Sequence, residues 1–167
     1  MDYFSHAIWS YIFFFRTKKP IYALLCGLIP DTFSWLIYFI FSVVTGNMSR
    51  GGPPHLGSIP DWVFTLYDIS HSIFVAALVI LLIFSICKYY SKKFPIYILA
   101  WPIHILIDIP THTREFLPTP FLWPVSDWVF PGISWGTSWF MTTNLILVIV
   151  CLSYVIWWRR KNKEKLK

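Results

Sequence analysis

The long apolar runs of this chain restrict its fold more than any other feature. Four such runs cover residues 21–45, 62–87, 95–110 and 138–158, and a shorter one covers 3–15. Spanning a bilayer takes a helix of about 20 mostly apolar residues, so these runs favour membrane-spanning helices. In addition, 56% of the 167 residues are hydrophobic and only 13% are charged, whereas soluble domains are nearer a quarter charged. The sequence therefore predicts an all-α integral membrane helix bundle of about four to five transmembrane or membrane-embedded helices.

Short basic clusters mark the ends of these runs. They lie at 16–19, 88–93 and 159–167, and they give the chain a net charge of +6. Membrane proteins keep such clusters on the cytoplasmic side. We therefore expect all three clusters in the cytoplasm and the loops 46–61 and 113–137 on the outer side.

The position of the basic residues also bears on domains and partners. Because these residues are confined to short clusters beside apolar runs, we expect a lipid bilayer as the partner and no nucleic acid. Residues 1–158 are then a single membrane helical domain, and residues 159–167 are a basic cytoplasmic tail. The expected location is the cell membrane, crossed several times.

A histidine and an aspartate interrupt the third apolar run. His104 and Asp108 are four residues apart, so a helix would place both side chains on one face, one turn apart. Such a pair can hold one metal ion between them, as the two histidines of the H-E-x-x-H motif do. The alternative is a structural hydrogen bond between the two side chains.

Three more ionisable side chains are expected at a similar depth. With a rise of about 1.5 Å per residue from the nearest basic cluster, His6, Asp31, His71, His104 and Asp108 all fall between the midplane and the outer half of the bilayer. Ionisable groups at such depth usually face a cavity or pair with one another. We therefore expect these five side chains to converge and to bind a divalent transition metal, with zinc as the first candidate.

Two carboxylates are candidates for a catalytic base. Asp31 directly follows a proline that interrupts its helix, and broken helices at membrane depth are tolerated beside a polar cavity. Asp68 lies about one turn before His71, where it is either a base or partner of the site or a solvated residue at the helix entrance. Ser70 and Ser72 are expected to form hydrogen bonds or helix caps rather than to act as nucleophiles.

The order of these residues resembles that of one family. An N-terminal histidine, a G-x-x-P-D element, a T-H-S-like element and an H-x-x-x-D element follow one another on His6, Gly27, Pro30, Asp31, His71, Ser72, His104 and Asp108. This order is similar to that of the membrane-bound metal-dependent hydrolases, the YdjM-like, LexA-regulated group of small multi-pass proteins. The sequence departs from the family at Phe33, where a second acid is common, and at Ser70, where threonine is usual. The resemblance implies a metal-dependent hydrolase.

Three functional hypotheses follow. The first is metal-assisted hydrolysis of an ester or phosphoester, with a lipid or lipid-linked substrate because the site lies beside the Trp- and Pro-rich loop 113–137. The second is a non-enzymatic protein that binds or transports metal ions or protons, since buried His and Asp groups also form ion pathways. The third is a structural membrane protein in which the polar cluster only holds helices together.

Overall fold

The computed structural model describes residues 1–47 and 54–163, and every regular element within these ranges is a helix. Part of the loop 46–61 and the last residues of the expected tail, 164–167, lie outside the described residues. The prediction of an all-α fold is confirmed for the part of the chain that the structure describes.

The N-terminal half consists of short helices. They are α1 (Tyr3–Phe13), α2 (Ile21–Gly27), α3 (Ile29–Asp31), a π-helical turn (Thr32–Leu36) and α4 (Ile37–Val44). From α3 to α4 the chain is continuously helical, and this unit is bent by 44° from α2. Pro30 explains the break, since a proline lacks the backbone N–H of an interior helical residue but suits a first turn. The apolar run 21–45 is therefore a broken helix with Asp31 next to the break.

The second apolar run also forms two helices. Helix α5 (Asp61–Ser70) and helix α6 (Ile73–Tyr89) meet at 56°. His71 ends α5, and the Ser72 Oγ accepts a hydrogen bond from the backbone N–H of Val75 (3.2 Å), so that it caps α6. The sequence predicts one span over 62–87, whereas the structure breaks the run at His71. The capping role expected for Ser72 is confirmed.

Two further helices complete the chain. A 3₁₀ turn (Ile96–Leu99) leads into α7 (Ala100–Thr111), and α8 runs from Ser138 to Lys161. Among the described residues, α8 by itself is long and apolar enough to cross a membrane. The pairs α2 with α3–α4 and α5 with α6 reach that length if each bent pair is taken as one span. A number of four to five membrane helices stays a prediction.

Helices α1 and α8 lie side by side and run in the same direction. Near the start of α8, the Asn144 side chain accepts a hydrogen bond from Trp9 Nε1 (2.9 Å) and donates one to Ser5 Oγ (2.8 Å). Near the end of α8, Arg159 donates to the backbone carbonyl of Phe15 (2.6 Å). Because the early residues of each helix meet and the late residues meet, the two helices are parallel.

The basic clusters lie near one another at one end of the molecule. The guanidinium of Arg16 is 5.9 Å from the ring of Trp158, directly before the basic tail. The rings of Tyr22 and Tyr97 are 5.5 Å apart, which brings the chain after the cluster 88–93 to the start of α2. Helix α8 therefore leads from this basic end to the opposite end, where α1 begins.

Polar side chains share the interior with an apolar core, and apolar side chains cover much of the outside. Among the largest side chains that are fully buried are His6, Ser10, Ser34, His71, Ser72, His104 and Asp108. Large exposed side chains on α6 and α8 include Leu78, Leu81, Leu82, Leu145, Ile146, Ile149 and Val150. In water-soluble proteins these charged and polar residue types are mostly exposed. Most of these buried polar side chains lie on helices α1 to α7.

Candidate metal centre

Four buried side chains converge where three helices meet. One donor atom from each of Asp31, His71, His104 and Asp108 lies within 4.8 Å of the others. Asp31 ends α3, His71 ends α5, and the remaining two lie one turn apart on α7. The helix breaks therefore bring together residues that are far apart in the sequence.

A hydrogen bond to the backbone fixes the ring orientation of His104. Its Nδ1 donates to the backbone carbonyl of Gly27 (2.7 Å), because a carbonyl oxygen can only accept. In the neutral imidazole the other nitrogen, Nε2, then carries a lone pair. This Nε2 points into the cluster and lies 3.0 Å from Asp108 Oδ2.

His71 is held in the same way. Its Nδ1 donates to the backbone carbonyl of Tyr67 (3.1 Å), and its Nε2 faces the Nε2 of His104 at 3.3 Å. Two lone pairs at this distance repel unless a proton or a cation lies between them. With zinc–nitrogen bonds of about 2.0–2.1 Å, two nitrogen ligands of a tetrahedral ion are roughly 3.3–3.4 Å apart. The separation of the two rings therefore fits a shared metal ion.

Asp108 connects the four-donor group to a second set of contacts. Its Oδ2 faces His104 and lies 3.6 Å from the Nε2 of His71. Its Oδ1 accepts a hydrogen bond from His6 Nε2 (2.8 Å) and contacts the α-amine of Met1. One oxygen is thus available to an ion while the other is held by α1.

His6 supports the group from outside it. Its ring stacks on that of His104, with centroids 3.6 Å apart and planes at 20°. Because its Nε2 bonds the far oxygen of Asp108, His6 lies outside the set of four donors. The structure thus brings all five predicted residues together. The fourth donor of the group is Asp31 and not His6.

Asp31 lies at the boundary between the cluster and a cavity. Its Oδ1 is 3.5 Å from His71 Nε2 and 3.8 Å from His104 Nε2. It also lines a cavity of about 260 Å³, which we call the chamber; other lining residues are Tyr3, Trp35, His112, Phe116 and Trp135. Small molecules in the chamber could therefore reach the carboxylate of Asp31.

Asp68 belongs to a different place. It is half-buried and lines a separate cavity of about 370 Å³ together with Arg114 and Asp127. The buried ring of Tyr67, which lies 3.9 Å from the ring of His71, also lines that cavity. Asp68 is thus outside the four-donor group, and both of its interpretations stay predictions.

Sequence reasoning did not find the groups that orient the histidines. They include the backbone carbonyls of Gly27 and Tyr67, which have no side-chain signature.

His112 is a further neighbour of the site: burial lowers its pKa to about 4, so the ring is neutral at pH 7. Its Nδ1 then donates to the backbone carbonyl of Asp108 (3.2 Å). The exposed His55 lies in the loop before α5.

Comparisons with known proteins give no relative. No protein-family model, no curated protein and no solved structure matches this chain. The resemblance to the membrane-bound metal-dependent hydrolases therefore stays a prediction that rests on the order of the residues alone.

Proposed function

We propose that this chain is a multi-pass membrane protein that holds a divalent metal ion and hydrolyses an ester or phosphoester. One observation carries the proposal most: His71 Nε2 and His104 Nε2 face each other at 3.3 Å beside two carboxylates, while each Nδ1 is bonded to a backbone carbonyl. A cation between them would remove the repulsion and would neutralise the buried charge of Asp31 and Asp108.

The distribution of residues supports a membrane location. The exposed leucine and isoleucine side chains of α6 and α8 suit contact with lipid, and the buried polar groups suit the interior of a bundle. The four to five membrane helices would be α8, the two bent pairs, the shorter apolar helix Ile96–Thr111, and α1 as a short embedded helix.

A distance along α8 supports a depth for the site in the membrane. Asn144 contacts α1 next to the site, and Arg159 lies at the basic end. These two residues are about 22 Å apart along a helix. With the basic clusters and the tail in the cytoplasm, the site would lie in the outer half of the bilayer.

The donor set favours zinc or a similar transition metal. Two imidazoles and a carboxylate are the ligands of several catalytic zinc sites, in which a fourth position stays open. His71, His104 and Asp108 would hold the ion here. When bound, such an ion lowers the pKa of a coordinated water and polarises carbonyl or phosphoryl oxygens.

The remaining residues would orient these ligands and move the proton. His6 holds Oδ1 of Asp108, which leaves Oδ2 directed at the two histidines. Asp31 lines the chamber, and its Oδ1 would accept the proton of the attacking water. The chamber beside Asp31 favours hydrolysis over ion transport, because it gives a substrate access to the proposed base.

The variant Asp31→Asn tests this assignment. We expect it to keep its metal ion but to lose hydrolysis by at least ~100-fold, since general base catalysis contributes about that much. The assay is turnover of chromogenic carboxylic esters and phosphodiesters by purified protein, with metal content measured on the same sample. Asp127→Asn, an exposed carboxylate on the other cavity, is the matched control.

Two results would contradict the proposal. Undiminished hydrolysis by the Asp31→Asn variant would exclude Asp31 as the base. Hydrolysis that survives in His104→Ala would show that the activity does not come from this site.

A further inference from the structure

The chamber has aromatic walls contributed by distant parts of the chain. Tyr3 comes from α1, Trp35 from the π-helical turn, and Phe116 and Trp135 from the segment between α7 and α8. Leu117 adds an aliphatic surface. Large flat apolar side chains on several sides are typical of a pocket that binds an apolar group.

Two of the polar groups in the walls already have partners within the protein. The Tyr3 hydroxyl shares a hydrogen bond with Thr32 Oγ1 (3.0 Å). The Asp2 carboxylate accepts hydrogen bonds from the backbone N–H (2.9 Å) and Oγ (2.5 Å) of Ser5. These groups cap or join helices rather than face a ligand.

This distribution favours an apolar substituent over a polar one. A sugar or nucleotide brings several hydroxyl or amide groups, and each costs free energy when it is buried without a partner. A hydrocarbon chain needs no such partners and gains free energy from every apolar surface that it covers. The chamber also has accessible polar groups on Asp31 and His112, next to the metal-binding residues. The bond to be cleaved would lie there.

The position of the chamber agrees with a substrate from the bilayer. It lies at the end of the molecule where α1 begins, opposite the basic end. Tryptophan and tyrosine side chains are enriched at the membrane–water interface, where the ester and phosphoester bonds of lipids also lie. A lipid could then place its polar bond near Asp31 without leaving the interface.

From these observations we propose that the chamber binds the hydrocarbon substituent of the substrate. The substrate class is therefore a long-chain acyl ester or an alkyl phosphoester, and Trp35 and Trp135 determine the preference for it. This inference rests on the proposed function for the role of the bond that is cleaved, but binding of the hydrocarbon can be measured without catalysis.

Photo-crosslinking of the full chain in lipid nanodiscs tests the inference. The probe is a dodecyl phosphonate with a diazirine in its chain, which cannot be hydrolysed, and labelled residues are identified by mass spectrometry. We expect labelling of Phe116. An excess of unlabelled dodecyl phosphonate should abolish this labelling, whereas glucose phosphate should leave it unchanged. Replacing both Trp35 and Trp135 with alanine should lower the labelling of Phe116 about tenfold, as expected for the loss of aromatic anchors.

A matched variant separates the chamber from the lipid-facing surface. Trp139 lies in the first turn of α8 and is 58% exposed, so Trp139→Ala should leave the labelling of Phe116 unchanged. Labelling of Phe116 that glucose phosphate also abolishes would overturn the inference. So would labelling confined to exposed side chains of α8.

The experiment also distinguishes a failure of the hydrocarbon site from a failure of the proposed hydrolase function. Specific labelling in a protein that binds no metal would refute the hydrolase and leave the hydrocarbon site in place. A metal-loaded, hydrolytic protein without specific labelling would refute the hydrocarbon site alone.

Discussion

Two backbone carbonyls determine what the buried histidines can do. The carbonyl of Gly27 takes the Nδ1 proton of His104, and that of Tyr67 takes the Nδ1 proton of His71. In metal sites such acceptors fix the tautomer of a ligand and increase its basicity. Without them either ring could turn its protonated nitrogen inward and would then be unable to bind a cation.

Gly27 has a second role, because it allows α1 and α2 to approach closely. A Cβ at this position would overlap the Ser10 Oγ and lie 2.7 Å from the Ser10 Cβ. We therefore expect Gly27→Ala to destabilise the protein by about 1–3 kcal/mol, the usual cost of overpacking. The same change should also weaken metal binding, since the carbonyl behind His104 would move. Thermal unfolding in detergent and metal titration measure the two effects.

A double-mutant cycle isolates this contact. In a Ser10→Gly background, Gly27→Ala should cost at least ~1 kcal/mol less than in the wild type, because the overlapping atoms are gone. Gly57→Ala is the control, since a Cβ there meets nothing within 4 Å. Equal costs of Gly27→Ala in both backgrounds would show that Ser10 is not the obstacle.

The sequence predicted the members of the site better than their roles. The spacing of His104 and Asp108 predicts that they share a helix face, and they contact each other at 3.0 Å. A count of depth could also group His6 and Asp31 with them. It could not decide between these two as the fourth donor, because that choice depends on how α1 packs sideways against α7.

At the scale of helices, the apolar runs and Pro30 explain much of the architecture. Pro30 indicates the break before Asp31, and the structure has a π-helical turn directly after it. π-helical turns are frequent at functional sites. The break at His71 was not predicted, because the serine cap at Ser72 is a weak signal within a long apolar run.

Helix α8 is held on α1 by polar contacts that a hydropathy pattern does not reveal. The Asn144 side chain makes two hydrogen bonds to α1, to Trp9 and to Ser5. Interhelical hydrogen bonds in membranes contribute about 0.6 kcal/mol each on average, so Asn144→Leu should destabilise the protein by about 1 kcal/mol. Unfolding in increasing SDS concentration measures the change.

Thr142→Val is the matched control for Asn144→Leu. The Thr142 hydroxyl donates to the carbonyl of Ser138 within α8 (2.8 Å), so its loss should leave the contact with α1 unchanged. A destabilisation by Thr142→Val as large as that by Asn144→Leu would argue against a specific role for the Asn144 side chain.

At the scale of the whole molecule, the distribution of charge predicts the orientation. The contact of Arg16 with Trp158 and that of Tyr22 with Tyr97 bring the basic clusters to one end. The sequence predicts this arrangement because basic residues follow or precede each apolar run. It gives no information on the chamber, which is formed by side chains from four separate segments.

Cysteine accessibility in a background without the native cysteines tests the orientation. With a membrane-impermeant maleimide, His55→Cys and Asp127→Cys should be labelled on intact cells. Lys92→Cys and Arg160→Cys should be labelled only after permeabilisation, since the basic ends are expected in the cytoplasm. Labelling of Lys92→Cys and Arg160→Cys from opposite sides would contradict the shared basic end.

The central claim is that His71, His104 and Asp108 bind one metal ion beside Asp31, and metal analysis of the purified full chain tests it most directly. We expect about one equivalent of zinc or a similar ion per chain in the wild type and in the control His55→Ala. In each of His71→Ala, His104→Ala and Asp108→Ala the affinity should fall by well over tenfold, since even changes outside the ligands cost that much. A folded wild-type protein that takes up no divalent ion, or variants that all keep a full equivalent, would contradict the account.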